Sequence, residues 1–257
     1  MTTHPTRIGM LTPSSNTVLE PECAAIVAHS NCTVHFSRFP VIAISVEEEY
    51  TAQFNLATML EAARLLAHAR CDVIAWSGTS AGWLGVETDR QLCAAITEAT
   101  GIPAISTTQA LLRVADAWQW NTIGLVVPYE EPVVEAIRRT FAEKGLRVAR
   151  EQHANLRVNR EFSALSPEQI TEMIQSVAVE VDGVVVFCTN MAGAPLVEAL
   201  EPQVGVPILD SVSLTVWACL QSVGHSEPIY GWGQLLRENP PFEGTWSDLT
   251  SRPNKNL

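Results

Sequence analysis

The chain has 257 residues, 47% of them hydrophobic, which is ample for the core of one large or two modest domains. Its 28 acidic and 16 basic residues give a formal net charge of −12, and no run of Lys or Arg forms a stripe able to neutralise a phosphate backbone. That balance excludes nucleic acid and anionic membrane as expected partners. Residues 1–5 run straight into a strand and no apolar stretch has signal-peptide or membrane-span length, so the expected location is the cytoplasm.

Taken in order, short β-rich runs alternate with helical stretches, the pattern of βαβ units and a parallel sheet. Strands are expected at 7–11, 34–36, 72–76 and 104–105, and again at 122–127, 147–150, 183–187 and 208–209. Between them apolar residues recur at helical spacing, as in Leu56, Met59, Leu60, Ala63 and Leu66.

The second set of strands repeats the first. Ile8-Gly9-Met10-Leu11-Thr12-Pro13 returns as Ile123-Gly124-Leu125-Val126-Val127-Pro128, an offset of 123 − 8 = 115, and Val18 and Glu20 keep it at Val133 and Glu135. Gly101-Ile102-Pro103-Ala104-Ile105 likewise returns as Gly205-Val206-Pro207-Ile208-Leu209, each followed by small polar residues suited to cap a helix. The expected fold class is α/β, as two open, mostly parallel sheets of about four strands flanked by helices. The first half is expected to span 1–113 plus 213–257 and the second 114–212, because the helix after Ser213 has no strand left to feed in the second half. The tail 239–257, rich in Pro, Asn and Ser, reads as irregular or draped over a neighbour, and a homo-oligomer is compatible with it.

Open α/β sheets bind ligands beyond the carboxyl ends of their strands, where the turns at Pro13, Gly78, Pro128 and Cys188 all fall. Of six cysteines, none forms a C-x-x-C pair, so neither a disulfide framework nor a metal site is indicated; Cys23, Cys93 and Cys219 read as buried structural thiols. The six histidines show no metal or catalytic spacing. Cys188 differs, because it ends an apolar run and precedes a stretch, 191–200, expected to be helical. At a helix start the macrodipole favours a thiolate or a bound anion.

Gly78-Thr79-Ser80 fills the matching turn of the first half, with hydroxyls and amides that bind carboxylate oxygens without a cation. Ser14, Ser15 and Asn16 after Pro13, and Tyr129 after Pro128, are further donors facing the same cleft. Tight-turn packing for Cys188 and helix capping for Thr79 and Ser80 are the competing structural readings. Neither a G-x-G-x-x-G turn after a strand nor a phosphate-binding loop is present, so no cofactor is expected.

These residues resemble the aspartate/glutamate racemase superfamily, in its branch of maleate cis-trans isomerases and arylmalonate decarboxylases, from Ile8 to about Leu236. The resemblance implies two pseudosymmetric four-stranded domains with a cofactor-free site in the cleft between them. Pro13-Ser14-Ser15-Asn16 followed by Glu20 is similar to the isomerase motif whose Asn clasps a substrate carboxylate, Asn159 to a second carboxylate-binding Asn, and Tyr129 to a tyrosine of both groups. The first of the family's two cysteines falls on Gly78, and Gly78-Thr79-Ser80 instead resembles the decarboxylase turn, in which hydroxyls and amides, including that of Thr189, hold a carboxylate while one cysteine, matching Cys188, protonates the carbanion.

A single thiol suffices to end a decarboxylation, whereas the family's isomerisation and racemisation use two. The expectation is therefore a carbon–carbon lyase acting on a small malonate-type dicarboxylic acid. An isomerase or racemase acting on a small dicarboxylate is the alternative, and a carboxylate-binding protein without chemistry is a further one.

Overall fold

The computed structural model describes residues 4–225 and 227–240; the expectation of an irregular tail falls outside these residues beyond Pro240. The first half comprises β1 (Thr6–Pro13), α1 (Leu19–Ile26), β2 (Cys32–Phe39), α2 (Glu48–Thr51), α3 (Leu56–His68), β3 (Val73–Trp76), α4 (Ala81–Leu84), α5 (Val86–Thr100), β4 (Ala104–Ser106) and α6 (Thr107–Ala117). The second comprises β5 (Thr122–Val127), α7 (Glu131–Glu143), β6 (Arg147–His153), α8 (Asn159–Phe162), α9 (Pro167–Val177), β7 (Gly183–Val186), α10 (Val197–Val204) and β8 (Ile208–Asp210), and α11 (Ser211–Ser222) and α12 (Gln234–Glu238) follow it.

The strands form two parallel four-stranded sheets with the same topology, β2-β1-β3-β4 and β6-β5-β7-β8. The two inner strands of each sheet are covered on both faces, which is why β3 and β7 read as unbroken apolar runs, Val-Ile-Ala-Trp and Gly-Val-Val-Val, instead of alternating. The repeated Gly-x-Pro elements are helix stops. Gly101 and Gly205 close α5 and α10 at φ +70° and +74°, a left-handed conformation that only glycine adopts without a Cβ penalty. The strands that follow deliver the caps: Ser106 Oγ accepts from the Gln109 amide, and Asp210 Oδ1 accepts from Val212 and Ser213.

Sheet register fixes which residues of the two halves are equivalent. Ile8 lies beside Val73 and Ile123 beside Gly183, so the offset of 115 between the first strands becomes 183 − 73 = 110 at the third. Since 188 − 78 = 110 as well, Gly78 and Cys188 stand at matching strand ends, and Trp76 matches Val186. Helix α11 packs against α1, α6 and β3 as well as β8, so the chain leaves the second sheet to return to the first. Among the described residues no helix is long and apolar enough to cross a membrane.

Asp89, Glu22 and Asp210 are among the carboxyls sunk in this interior. Asp89 at the start of α5 is fully buried, and loss of hydration pushes its acid up to about 7. Glu22 and Asp210 face each other between α1 and the end of β8; burial raises both, and the Asp210 charge raises Glu22 further. A carboxyl whose folded value exceeds its unfolded one binds more protons in the folded state, so its favourable effect is complete below about pH 4 and is lost as pH rises toward 7. Asp89→Asn should therefore raise the melting temperature at pH 8 more than at pH 5. An equal change at both pH values would show that Asp89 is not the group responsible.

Candidate active site

The turns that leave the four inner strand ends converge between the sheets. Together with a covering segment from the first half they enclose about 20 Å³, room for about one water, lined by Cys188, Thr189, Gly78, Thr79, Ser80, Tyr129 and Asn159 on the polar side. Pro13, Val41, Ile44, Phe54, Trp76 and Trp83 form the apolar side. No Lys or Arg lines it, so an anion held here is met by neutral donors alone.

Cys188 is 3% exposed. Desolvation pushes its thiol up to about 12, with the Asp210 charge adding to the rise, while hydrogen bonds from Tyr129 and from the Asn190 amide, 3.4 Å from Sγ, oppose it. The phenol of Tyr129 is also held well above its ordinary value, by burial first and then by the neighbouring Cys188. Its hydroxyl lies 2.8 Å from Thr79 Oγ1, which joins the two halves directly across the cleft. At neutral pH the site thus contains a protonated thiol, a neutral phenol and a threonine hydroxyl in one hydrogen-bonded row.

The helix expected at 191–200 begins later, as a short 3₁₀ turn at Ala194–Leu196 leading into α10. The intervening residues are committed to the seam between the halves. Asn16 Nδ2 donates to the Thr189 carbonyl (2.9 Å) and Oγ1 (3.2 Å), Asn190 Nδ2 donates to the Asn159 carbonyl (2.6 Å), and Asn190 Oδ1 accepts from the Thr17 amide (3.0 Å). Cys188 is therefore not at a helix start, and its acidity is set by burial and local donors instead of a macrodipole.

The remaining sequence-derived residues divide by orientation. Asn159 lines the cavity and donates to Ser15 Oγ at 2.8 Å. Asn16 sits behind Thr189 with its Oδ1 accepting from the Val18 and Leu19 amides at the start of α1. Ser14 is exposed and ties down the covering segment, its Oγ accepting from Val41 N (3.1 Å). Glu20 lies outside the cavity and pairs with Arg38, whose Nη1 donates to the Ser14 and Asn16 carbonyls, 2.9 Å each.

Several contributors carried no legible sequence signal. Val41, Ile44 and Phe54 come from the connection after β2, which crosses to the second half through the Ala43–Val158 bridge, Ile44 N to Arg157 O (2.9 Å) and Asn159 N to Ile42 O (2.8 Å). Arg157 fastens the crossing by ion pairs to Glu47 (3.1 Å) and Glu130 (2.8 Å). Trp76 was legible as an apolar strand end, but its role depends on where the ring goes. Its Nε1 donates to Ser80 Oγ (3.2 Å), and the ring lies so close over Gly78 that a Cβ there would fall 2.1 Å from Cζ2.

A sequence model described as Asp/Glu/Hydantoin racemase matches residues 8–219. A maleate isomerase of Geobacillus stearothermophilus is 28% identical, with 90% of this chain and 96% of that protein aligned. Among solved structures, a cysteine-to-serine variant of Nocardia farcinica maleate cis-trans isomerase with a covalently bound succinylcysteine intermediate superposes with a TM-score of 0.84 at 25% identity, over 91% of this chain and 98% of that one. An arylmalonate decarboxylase superposes with a TM-score of 0.74 at 19% identity, over 90% and 99%, a likeness of fold alone.

These findings correct the expected lyase. The relatives that share sequence over most of the chain are isomerases, and the decarboxylase shares only the fold. The expectation failed because it took a missing thiol as an indicator of reaction type. Neutral donors around one thiol stabilise an enediolate however it arises, whether by loss of carbon dioxide or by addition to a double bond.

Because Cys188 is protonated at neutral pH, its alkylation, followed by mass spectrometry of the 188-containing peptide, should accelerate with pH without a plateau below about pH 10. Tyr129→Phe removes a hydrogen bond that favours the thiolate and should slow the reaction at every pH in that range. A plateau near neutrality would show a thiolate already formed.

Proposed function

The chain belongs to the Asp/Glu/hydantoin racemase family, and from that premise we propose that it is a cofactor-independent isomerase that interconverts the cis and trans forms of a small unsaturated dicarboxylate, with Cys188 as its one reactive thiol. The observation that carries this reading is a single buried thiol at the cleft, in hydrogen-bonding contact with Tyr129 and through it with Thr79, in a chain whose relatives over nine-tenths of its length are maleate isomerases.

The chemistry follows from that row of groups. Sγ of Cys188 bonds to one alkene carbon, and the π electron pair moves into the carboxylate on the other carbon, giving an enediolate. The thiol proton passes to that enediolate as its basicity rises, with the Tyr129 hydroxyl in position to relay it, so no free thiolate has to accumulate in a site that disfavours one. The former double bond is now single and rotates. The proton then returns to sulfur as the electron pair re-forms the alkene in the trans geometry and the C–S bond breaks. Atoms and electrons balance, and nothing is consumed.

Thr79, Ser80, Tyr129 and the Thr189 amide are the donors assigned to the carboxylate on which charge accumulates; Asn159 is assigned to the other. Neutral donors suit this task, because they stabilise charge that develops during the reaction without binding the starting dianion as tightly as a cation would. The covalently bound succinylcysteine intermediate of the Nocardia relative contains a carbon–sulfur bond to a four-carbon diacid, and supports that bond-forming step.

Proton NMR of the purified protein with maleate should show fumarate appearing with no solvent deuterium at carbon, since the relayed proton resides on oxygen. Cys188→Ser should lower the rate by about 10²–10⁴-fold, the range for loss of a catalytic proton-transfer group. Unchanged turnover in that variant, or no fumarate from wild type that binds maleate, would overturn the assignment.

A further inference from the structure

We propose that Glu22 and Asp210 act on Cys188 as positioning residues: the two carboxyls hold one proton between them, and the single negative charge left on Asp210 stands behind the thiol and keeps it protonated in the resting protein. The inference deepens the isomerase reading, on which it rests for why a thiol that releases its proton late is wanted. Its geometry and its test do not depend on turnover.

Asp210 ends β8 beside Val186, and Cys188 follows Val186 by two residues at the neighbouring strand end. Its two oxygens have different surroundings. Oδ1 accepts from the Val212 and Ser213 amides at 2.7 and 3.3 Å and caps α11, whereas Oδ2 has no hydrogen-bond partner. That free oxygen lies against the turn that carries Cys188, since a Cβ on Gly193 would fall 2.7 Å from it. Glu22 comes from α1, which packs against α11, and its Oε2 is likewise buried without a partner. Asp210 is 0% and Glu22 7% exposed.

Nothing nearby neutralises two such carboxylates. None of α1, β7, residues 187–196, β8 or α11 contains a Lys, Arg or His. The titratable groups facing Asp210 are Glu22 and Cys23 on α1 and Cys188 itself; Cys219 on α11 faces Cys23, and Glu201 on α10 accepts from the Ile208 amide (3.0 Å) at the far end of β8. All of these are acids. A buried carboxyl without a counterion keeps its proton in preference to its charge, and a second charge beside the first is disfavoured further. The pair therefore titrates as a unit in two separated steps, with one proton held between them. Asp210 ionises first, because two amides and the start of α11 favour its charge, while burial and then the Asp210 charge retain the proton on Glu22.

The effect on sulfur follows from sign. With both carboxyls neutral, only desolvation opposes the Cys188 thiolate. Once Asp210 is ionised its charge opposes the thiolate as well, and this is the direction in which Asp210 acts on Cys188. Asp210→Asn removes the charge without removing the cap, because an Asn side-chain oxygen serves at a helix start as an Asp oxygen does.

The test follows alkylation of Cys188 against pH by mass spectrometry of its peptide, with the buried Cys93 of α5 as a reporter of opening. At alkaline pH, Asp210→Asn should react about three- to tenfold faster than wild type, the effect of about half to one pKa unit. Glu22→Gln/Asp210→Asn should react at least as fast as that variant. Glu22→Gln alone, which leaves the Asp210 charge in place, should keep the wild-type rate, and Cys93 should be unchanged in all three. In carbon-13 NMR of glutamate-labelled protein, the Glu22 carboxyl should titrate at lower pH in Asp210→Asn than in wild type. An unchanged Cys188 rate in Asp210→Asn, an acceleration that Cys93 shares, full acceleration by Glu22→Gln alone, or an unmoved Glu22 titration would overturn the inference. The expected rates and titration in a protein that does not isomerise maleate would leave the pair assignment standing and defeat the isomerase reading instead.

Discussion

A thiol sunk at the junction of two sheets, with no positive charge beside it, has to be governed by hydrogen bonds alone. Desolvation acts on Cys188 more strongly than any neighbour does, and the Asp210 carboxyl behind it works in the same direction. Against these stand only Tyr129 and backbone amides. The consequence is a group that keeps its proton until a stronger base is formed next to it. An enediolate is such a base and a resting dicarboxylate is not, so in the proposed addition the environment that disfavours the thiolate ties proton release to bond formation.

The same burial requires the two halves to be held in fixed relation, because a wider opening at the seam would rehydrate the thiol. The amides of Asn16, Asn159 and Asn190 do this, meeting Thr189, Ser15 and the Thr17 amide across the seam, and they do it with groups that are also within a few residues of the cavity. Pairing is complete enough that the polar side of the site is preorganised: Thr79, Tyr129 and Thr189 are each oriented by a partner from the other half. The connection after β2 completes the enclosure by crossing to residues 157–159 through backbone hydrogen bonds, with Arg157 clamping it to Glu47 and Glu130.

Much of this was legible in the sequence, and the reason is the repeat. Ile8 and Ile123, Gly101 and Gly205, and the apolar runs ending at Trp76 and Phe187 are local patterns whose meaning is set by strand burial and helix stopping, so reading them twice constrained the fold class and put the strand-end turns, and with them Cys188, Thr79 and Tyr129, in one cleft. What was not legible depends on contacts between residues far apart. Ile42 to Ile44 look like any apolar connection until the bridge to Val158 is seen. The helix expected straight after Cys188 was displaced because Thr189 and Asn190 are engaged by Asn16 and Asn159, 173 and 31 residues earlier in the chain, and helix periodicity has no access to that competition.

Gly78 shows where residue identity alone misleads. As a letter it is an absent thiol, and absence invites a choice among reactions that need one acid or two. In the folded chain the position is defined by what covers it, an indole two residues earlier on the same strand end, locked by Ser80. Restoring a thiol there would require displacing the Trp76 ring, so the two positions are coupled. A mechanism that adds sulfur to one carbon and relays its proton through oxygen has no use for a second thiol.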